Sequence, residues 1–254
     1  MNGLPGDREP HRAPFRIHSY EVDPWERLTP RSLCALLQEA AGQDAENLGV
    51  SMSRLVADGL AWVLQRLKIE VAAYPPLGST LTVATWARHF SRVVAEREFE
   101  VRDGAGQPLA AATSRWVVVD MAARRVVRLP DFIRVLPVHR ARALEMDGHE
   151  LPLPEAPALE RRFEVRRSDL DVARHVNNTR YVEWALETVP DEVYETCEPR
   201  GFEIVFRRET VGGDRIVSRG QELSPEAGRL FTHALWTAAG GDPLAQAISR
   251  WLPR

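Results

Sequence analysis

Five apolar residues, Leu33, Leu36, Leu37, Ala40 and Ala41, follow the i, i+3, i+4, i+7, i+8 spacing of one helix face. Thr29-Pro30 just upstream offers an N-cap hydroxyl and a proline suited to the first helical position, and Gly49 offers a stop. The period then changes. Stretches around 61–73, 79–88, 92–103 and 109–120 are rich in β-branched, aliphatic and aromatic residues and read as strands. Asp103-Gly104-Ala105-Gly106 reads as a hairpin turn between two of them. The same order returns in the second half. A strand-like run, Phe163-Glu164-Val165-Arg166, precedes a helical stripe of Tyr181, Val182, Ala185, Leu186 and Val189. Pro190 disfavours helix in the residue before it, so this helix is expected to stop at Val189. Strands are expected around 201–209, 214–222, 228–238 and 244–252.

The halves share residues as well as order. Residues 106–116 and 241–251 are identical at eight of eleven positions, at an offset of 135. Gly78 and Gly213 stand at that same offset, each ahead of an alternating segment. Tyr20-Glu21-Val22 resembles Phe163-Glu164-Val165 at an offset of 143, which implies a length change inside one copy. The chain therefore reads as one fold repeated in tandem. A single mostly apolar helix with four or five antiparallel strands predicts an α+β unit, a sheet wrapped around a buried helix. The expected divisions are a flexible tail over 1–14, a first unit over 15–120, a linker over 121–160 and a second unit over 161–254. Prolines 130, 137, 152, 154 and 157 punctuate the linker, and a short helix is expected near 138–146.

Composition narrows the class. With 254 residues, 44% hydrophobic and 27% charged, the chain has material for packed cores and an ordinary soluble surface. No apolar run reaches the length of a membrane span and the N-terminus lacks a signal-peptide core, so no membrane partner is expected. A net charge of −3 gives no basis for a nucleic-acid partner. Cys34 and Cys197 have neither metal spacing nor the look of a disulfide framework, which fits a reducing, cytoplasmic setting. Lys68 is the one lysine; the other basic residues are arginines, and Arg161, Arg162, Arg166, Arg167, Arg174, Arg180, Arg207 and Arg208 crowd the second half. They read either as a solvated face or as a docking patch for an acidic partner.

The chemistry concentrates in the run from Asp169 to Asn178. Asp171 and His175, four residues apart, fall in the turn that opens the second helix. A helix start also offers backbone N–H groups and the positive end of its dipole. That combination suits activation of a water and polarisation of a carbonyl.

The order Arg-Ser-Asp-Leu-Asp-x-x-x-His-Val-Asn-Asn-x-x-Tyr-x-x-Trp-x-Leu-Glu, from Arg167 to Glu187, resembles the second-domain signature of the acyl-acyl-carrier-protein (acyl-ACP) thioesterases of plants and bacteria. Phe206-Arg207-Arg208-Glu209 continues the match, and Tyr20-Glu21-Val22, Leu37-Gln38-Glu39 and Tyr74-Pro75 are similar to that family's first domain. The resemblance implies a double hotdog fold and hydrolysis of a fatty acyl thioester carried on the phosphopantetheine arm of acyl carrier protein, the step that ends chain elongation. It implies a catalytic second hotdog and a first hotdog that shapes the acyl pocket, with Trp62 a candidate for its lining. It places the family's catalytic Asp, His and Glu at Asp171, His175 and Glu209. Two positions depart from the plant pattern: Ala173 stands where Asn is usual, and Thr210 where Cys is usual. A papain-like Cys/His/Asn mechanism is therefore not available.

From these residues, Asp171 acts as general base on water or attacks directly to form an anhydride, with the water route preferred. His175 orients the thioester or protonates the leaving sulfur. The N–H groups of Val176, Asn177 and Asn178 are candidates for an oxyanion hole, and Asn177 or Asn178 for the helix cap. A thiolate leaves readily, so no cofactor or metal is expected. The structural alternatives are a capping carboxylate for Asp171, a hydrogen-bonding role for His175 and an ion pair with Arg207 or Arg208 for Glu209. At the repeat offsets Asp171, His175 and Glu209 meet Leu28, Ser32 and Tyr74, so one active site per chain is expected. Competing functions are an acyl-CoA thioesterase and a catalytically weak acyl-ACP binding module. Both monomer and homodimer are compatible with a fold that already pairs two hotdogs.

Overall fold

The structure is a computed structural model and describes residues 8–157, 159–224 and 228–254. The chain divides into two compact units, Met1–Met146 and Asp147–Arg254. In the first unit the order is β1 (His11–Arg16), α1 (Pro30–Asn47), α2 (Met52–Ala57), β2 (Leu60–Val71), β3 (Thr80–Phe90), β4 (Val94–Asp103), β5 (Pro108–Asp120), β6 (Arg125–Val127) and α3 (Asp131–Arg134). In the second it is β7 (Leu159–Glu164), α4 (Asn178–Leu186), α5 (Asp191–Thr196), β8 (Cys197–Phe206), β9 (Arg215–Ser224), β10 (Arg229–Thr237) and β11 (Ala245–Pro253). Within the first unit the strand order is β1-β3-β4-β5-β2, with β6 on β5, and within the second it is β8-β11-β10-β9-β7, with antiparallel pairing in each.

In each unit the longest helix packs on the strands. α1 starts as its sequence predicts: Thr29 Oγ1 accepts from the Ser32 N–H at 3.1 Å, Pro30 is the first helical residue, and Gly49 follows the end with φ 71°. It lies against β1 and β3 and buries Leu33, Leu36, Leu37, Ala40 and Ala41. Asp44, on the same face, is fully buried and paired with Arg97 (2.7 Å) and Arg8 (2.6 Å). α4 is capped by Asn177, whose Oδ1 accepts from the Thr179 N–H at 2.9 Å, and it buries Tyr181, Val182, Trp184 and Ala185 against β9, β10 and β11. Two units, each with antiparallel strands around a main helix, make this the expected α+β double hotdog.

Several expectations need correction. The tail does not extend to residue 14: residues 1–7 lie outside the described residues, and His11–Arg16 pair with Thr80–Thr85 as β1. Most of the expected linker belongs to the first unit. β6 pairs with β5, and Leu129 and Ile133 are fully buried in a cluster with Val50, Leu55 and Val118. Residues 138–146 form no helix, because side chains of the sheet hold their backbone extended. Trp86 Nε1 donates to Ala141 O (2.9 Å), Lys68 Nζ to Glu145 O (2.8 Å), and the Ala143 N–H donates to Glu98 Oε2 (3.1 Å). Residues 150–156 are held likewise by Gln246 Nε2, Thr232 Oγ1 and Gln221 Oε1. α4 ends at Leu186, and Pro190 then opens α5, which the periodicity does not show.

The repeat extends to individual bonds. Trp116 Nε1 donates to Ser114 Oγ at 2.8 Å, and Trp251 Nε1 to Ser249 Oγ at 2.9 Å, the same contact at an offset of 135. Upstream of the helices the true offset is 148, since Ile17 and Val165 exchange equivalent bonds with Ser79/Gly78 and Asp214/Gly213. The tripeptide match at 143 is not the structural correspondence, and the length change falls in the helices, with 18 residues in α1 and 9 in α4.

Candidate active site

The second unit's candidate residues lie on two loops. Arg167–Asp169 form one turn of 3₁₀ helix ahead of the first loop. Asp169 is fully buried and accepts from the Arg166 N–H at 2.8 Å and from the side chains of Arg166 and Arg180. Burial works against its charge, but those hydrogen bonds and cations outweigh it and hold the carboxyl below the usual aspartate range. Asp169 O then receives the Asn177 N–H at 2.9 Å. Asp169, which sequence analysis does not single out, thus fixes both ends of the turn, by its carboxylate to Arg166 and Arg180 and by its carbonyl to Asn177.

Within the turn Asp171 Oδ1 accepts from the Ala173 N–H (2.8 Å) and the His175 N–H (3.3 Å). The Asp171 N–H donates to His175 O at 2.8 Å and the Arg174 N–H to Asp171 O at 3.0 Å. Arg174 adopts φ 62°, the left-handed conformation such a tight turn requires. The second loop joins β8 to β9. It contains Glu209, which lies beyond the end of β8 and not on the strand expected to extend to 209. The loops are tied together by the Val176 N–H to Thr210 O bond (3.0 Å) and by a β-bridge between His175 and Val211. His175 Nε2 thereby faces Glu209 Oε2 at 3.6 Å. Both side chains are partly open to solvent, at 38% and 45% exposure, so reactants can reach them. Asp171, His175 and Glu209, 38 residues apart end to end, are thus brought into one loop cluster.

Part of the expected oxyanion hole is absent. The amides of Val176 and Asn177 already donate to Thr210 O and Asp169 O, so neither is available to a substrate oxygen. Asn177 is the helix cap, and Asn178 is the first residue of α4. Thr210 is buried, and its hydroxyl is hydrogen-bonded to the Tyr181 phenol at 3.0 Å; burial raises that phenol to about 12. Thr210 therefore anchors the Glu209 loop to α4. Ala173 is exposed at the tip of the turn beside Val172. Trp62, the proposed lining residue, belongs to the first unit. Its indole N–H donates to Val50 O at 2.9 Å, and its ring packs on the cluster around Val50, Leu55 and Ile133. An open cavity of about 370 Å³ in that unit is lined by Glu70, Glu100, Arg102 and Ala143 and not by Trp62.

The first unit contains the same turn. Asp23 Oδ1 accepts from the Trp25 N–H (2.9 Å) and the Arg27 N–H (3.0 Å), and the Asp23 N–H donates to Arg27 O at 2.8 Å. Glu26 has φ 58°, the Leu28 N–H donates to Pro75 O, and Arg27 bridges Pro76. Asp171 therefore corresponds to Asp23, His175 to Arg27 and Glu209 to Tyr74. The correspondence with Leu28 and Ser32 suggested by the 143 offset is superseded. The aspartate is common to both turns, and what distinguishes the second is the His–Glu pair.

Comparison with known proteins bears on this arrangement. The family described as acyl-ACP thioesterase N-terminal domain matches residues 8–136, and the acyl-ACP thioesterase C-terminal domain matches residues 154–253. A chloroplastic dodecanoyl-[acyl-carrier-protein] hydrolase of Cinnamomum camphora is 31% identical over 96% of the chain and 68% of its own length. A chloroplastic acyl-[acyl-carrier-protein] hydrolase of Cuphea viscosissima is 30% identical over 96% of the chain. The chain spans 62% of that relative's length. Among solved structures, an acyl-ACP thioesterase from Bacteroides thetaiotaomicron superposes with a TM-score of 0.86 at 25% identity, covering 96% of this chain and 98% of that one. The 12:0-ACP thioesterase of Umbellularia californica gives 0.83 at 27% identity, with both chains fully covered.

Proposed function

The chain belongs to the acyl-ACP thioesterase family, and on that premise we propose that it hydrolyses the thioester between a fatty acyl chain and the phosphopantetheine arm of acyl carrier protein. The observation that carries this reading is the His175–Glu209 pair beside Asp171, in the unit whose twin has Arg27 and Tyr74 instead. Hydrolysis adds water across the C–S bond, giving a carboxylic acid and the thiol of the arm. One oxygen of Asp171 holds the turn, and its other oxygen takes the proton from the attacking water. Protonated His175, facing the Glu209 carboxylate, donates to the sulfur as the C–S bond breaks. The proton on Asp171 then returns to His175 and resets the site. The amides of Val176 and Asn177 take no part in meeting the developing charge.

Release of free acid from the carrier would end elongation in fatty-acid biosynthesis, and we place it in a reducing, cytoplasmic setting in which Cys34 and Cys197 stay as free, buried thiols. The test is thiol release from a panel of acyl-ACPs and the matching acyl-CoAs, for wild type, His175→Ala and Glu209→Gln. Turnover on acyl-ACP that falls by about 100-fold or more in both variants is expected for lost acid–base catalysis. Faster turnover on acyl-CoA, or undiminished turnover in both variants, would refute the proposal.

A further inference from the structure

The crowd of arginines in the second unit separates into two groups. Five have carboxylate partners: Arg161 with Asp191 (3.9 Å), Arg162 with Glu160 (2.7 Å), Arg166 with Asp169 (3.1 Å), Arg180 with Glu183 (2.8 Å) and Arg207 with Glu150 (3.6 Å). Arg167, Arg174 and Arg208 have none within ion-pair distance among the described residues, and Arg215 joins them. All four are exposed.

These four sit around the candidate site. Arg167 opens the 3₁₀ turn, and Arg174 is the left-handed residue beside His175. Arg208 precedes Glu209, and Arg215 starts β9 directly after Asp214. Their segments are hydrogen-bonded into one loop cluster: Asn177 to Asp169, Val176 to Thr210 and Val165 to Asp214.

The first unit supplies the control. At the structural offsets of 148 and 135, Arg167 meets Ser19, Arg174 meets Glu26, Arg208 meets Ala73 and Arg215 meets Thr80. None is basic, although the turn is the same bond for bond. The fold itself therefore does not require cations here. At these four positions they occur only around the turn that has the His–Glu pair, in a protein whose net charge is −3.

An unpaired guanidinium holds a phosphate or carboxylate by two parallel hydrogen bonds. We propose that Arg167, Arg174, Arg208 and Arg215 form the surface that reads the anionic carrier of the thioester, separately from the chemistry at Asp171, His175 and Glu209. This rests on the activity proposed above. The anion is either the phosphodiester of the pantetheine arm or the carboxylates of the carrier protein, which share this chemistry.

Three thioesters with one acyl chain test it: acyl-ACP, acyl-phosphopantetheine and the neutral acyl-N-acetylcysteamine. The variant has Arg167→Gln, Arg174→Gln, Arg208→Gln and Arg215→Gln together. For acyl-ACP, KM is expected to rise about 10-fold with kcat little changed, and the salt dependence of kcat/KM to flatten. For the neutral thioester, kcat/KM is expected to stay the same. Loss on acyl-phosphopantetheine as well assigns the phosphate; loss on acyl-ACP alone assigns the protein's carboxylates. An unchanged KM and salt dependence on acyl-ACP overturns the proposal, as does an equal loss on the neutral thioester. Binding of holo-ACP to both proteins gives a readout without turnover, so an inactive wild type would sink only the activity. About 10-fold weaker binding by the variant supports the surface, and equal binding rejects it.

Discussion

His233 should make the second unit acid-labile in a calculable way. It is fully buried on β10, and its neighbours specify a neutral ring. Trp251 Nε1 donates to Ser249 Oγ (2.9 Å), which leaves the Ser249 hydroxyl to donate to His233 Nε2 (2.7 Å). Thr188 donates to Ala185 O (2.7 Å), so its oxygen accepts from His233 Nδ1 (2.9 Å). Every proton in this chain is used once, and a second ring proton would take the acceptor from the Ser249 hydroxyl proton. Burial accordingly pushes the imidazole from 6.5 down to about 3. The unfolded chain binds a proton below its ordinary histidine range, while the folded chain does not. Stability is therefore fully present above about pH 6.5 and is lost as pH falls towards about 3, at up to about 1.4 kcal/mol per pH unit. Between pH 7 and pH 5 the loss from this one group comes to about 2 kcal/mol. Urea unfolding at pH 7, 6 and 5, followed by tryptophan fluorescence, measures it in wild type and His233→Gln. The variant is expected to be less stable at pH 7 but to lack this acid dependence, since the remaining ionisable groups are common to both. Parallel loss of stability in the two proteins would refute the reasoning.

Asp171→Asn retains an oxygen that can accept the turn's two N–H bonds but loses the charge and the proton-accepting oxygen. Turnover is expected to fall by about 100-fold or more with the melting temperature nearly unchanged, whereas Asp23→Asn, in the twin turn, should leave both turnover and melting in place. Activity near wild type in Asp171→Asn would reduce that carboxylate to a turn-former. At Gly220, an added Cβ would lie 2.6 Å from the Thr188 carbonyl oxygen and closer still to its hydroxyl. Gly220→Ala should cost about 3 kcal/mol, because the end of α4 and the Thr188–His233 bond must both move; calorimetry showing an unchanged transition would contradict that packing.

Local signals in the sequence suffice where local forces decide. α1 has its N-cap, its proline and its stripe within its own residues, and the Asp103–Gly106 turn has its glycines. The turn around Asp171 and His175 has its pattern within ten residues, whereas Glu209 reaches it only through the pairing of a second loop. What misled were positions governed by distant partners. Residues 138–146 have the composition of a helix, yet Glu98, Trp86 and Lys68 capture their backbone from other strands. The N–H groups of Val176 and Asn177 stand at a helix start, but carbonyls of Thr210 and Asp169 consume them. The aspartate in the first unit's turn was hidden because a tripeptide likeness set the offset five residues short of the hydrogen-bonded correspondence.

The stretch from His139 to Ala156 matters to a protease. On paper, a proline-dotted segment between two compact units with arginines at Arg140 and Arg142 invites tryptic cleavage. Cleavage requires the substrate strand to offer its own amides and carbonyls to the enzyme's cleft. Here the Ala141 and Glu145 carbonyls and the Ala143, Leu144, Glu155 and Ala156 amides are already engaged by side chains of the sheets. The joint between the units is therefore disguised as part of each, and a digest should nick elsewhere before it finds the seam.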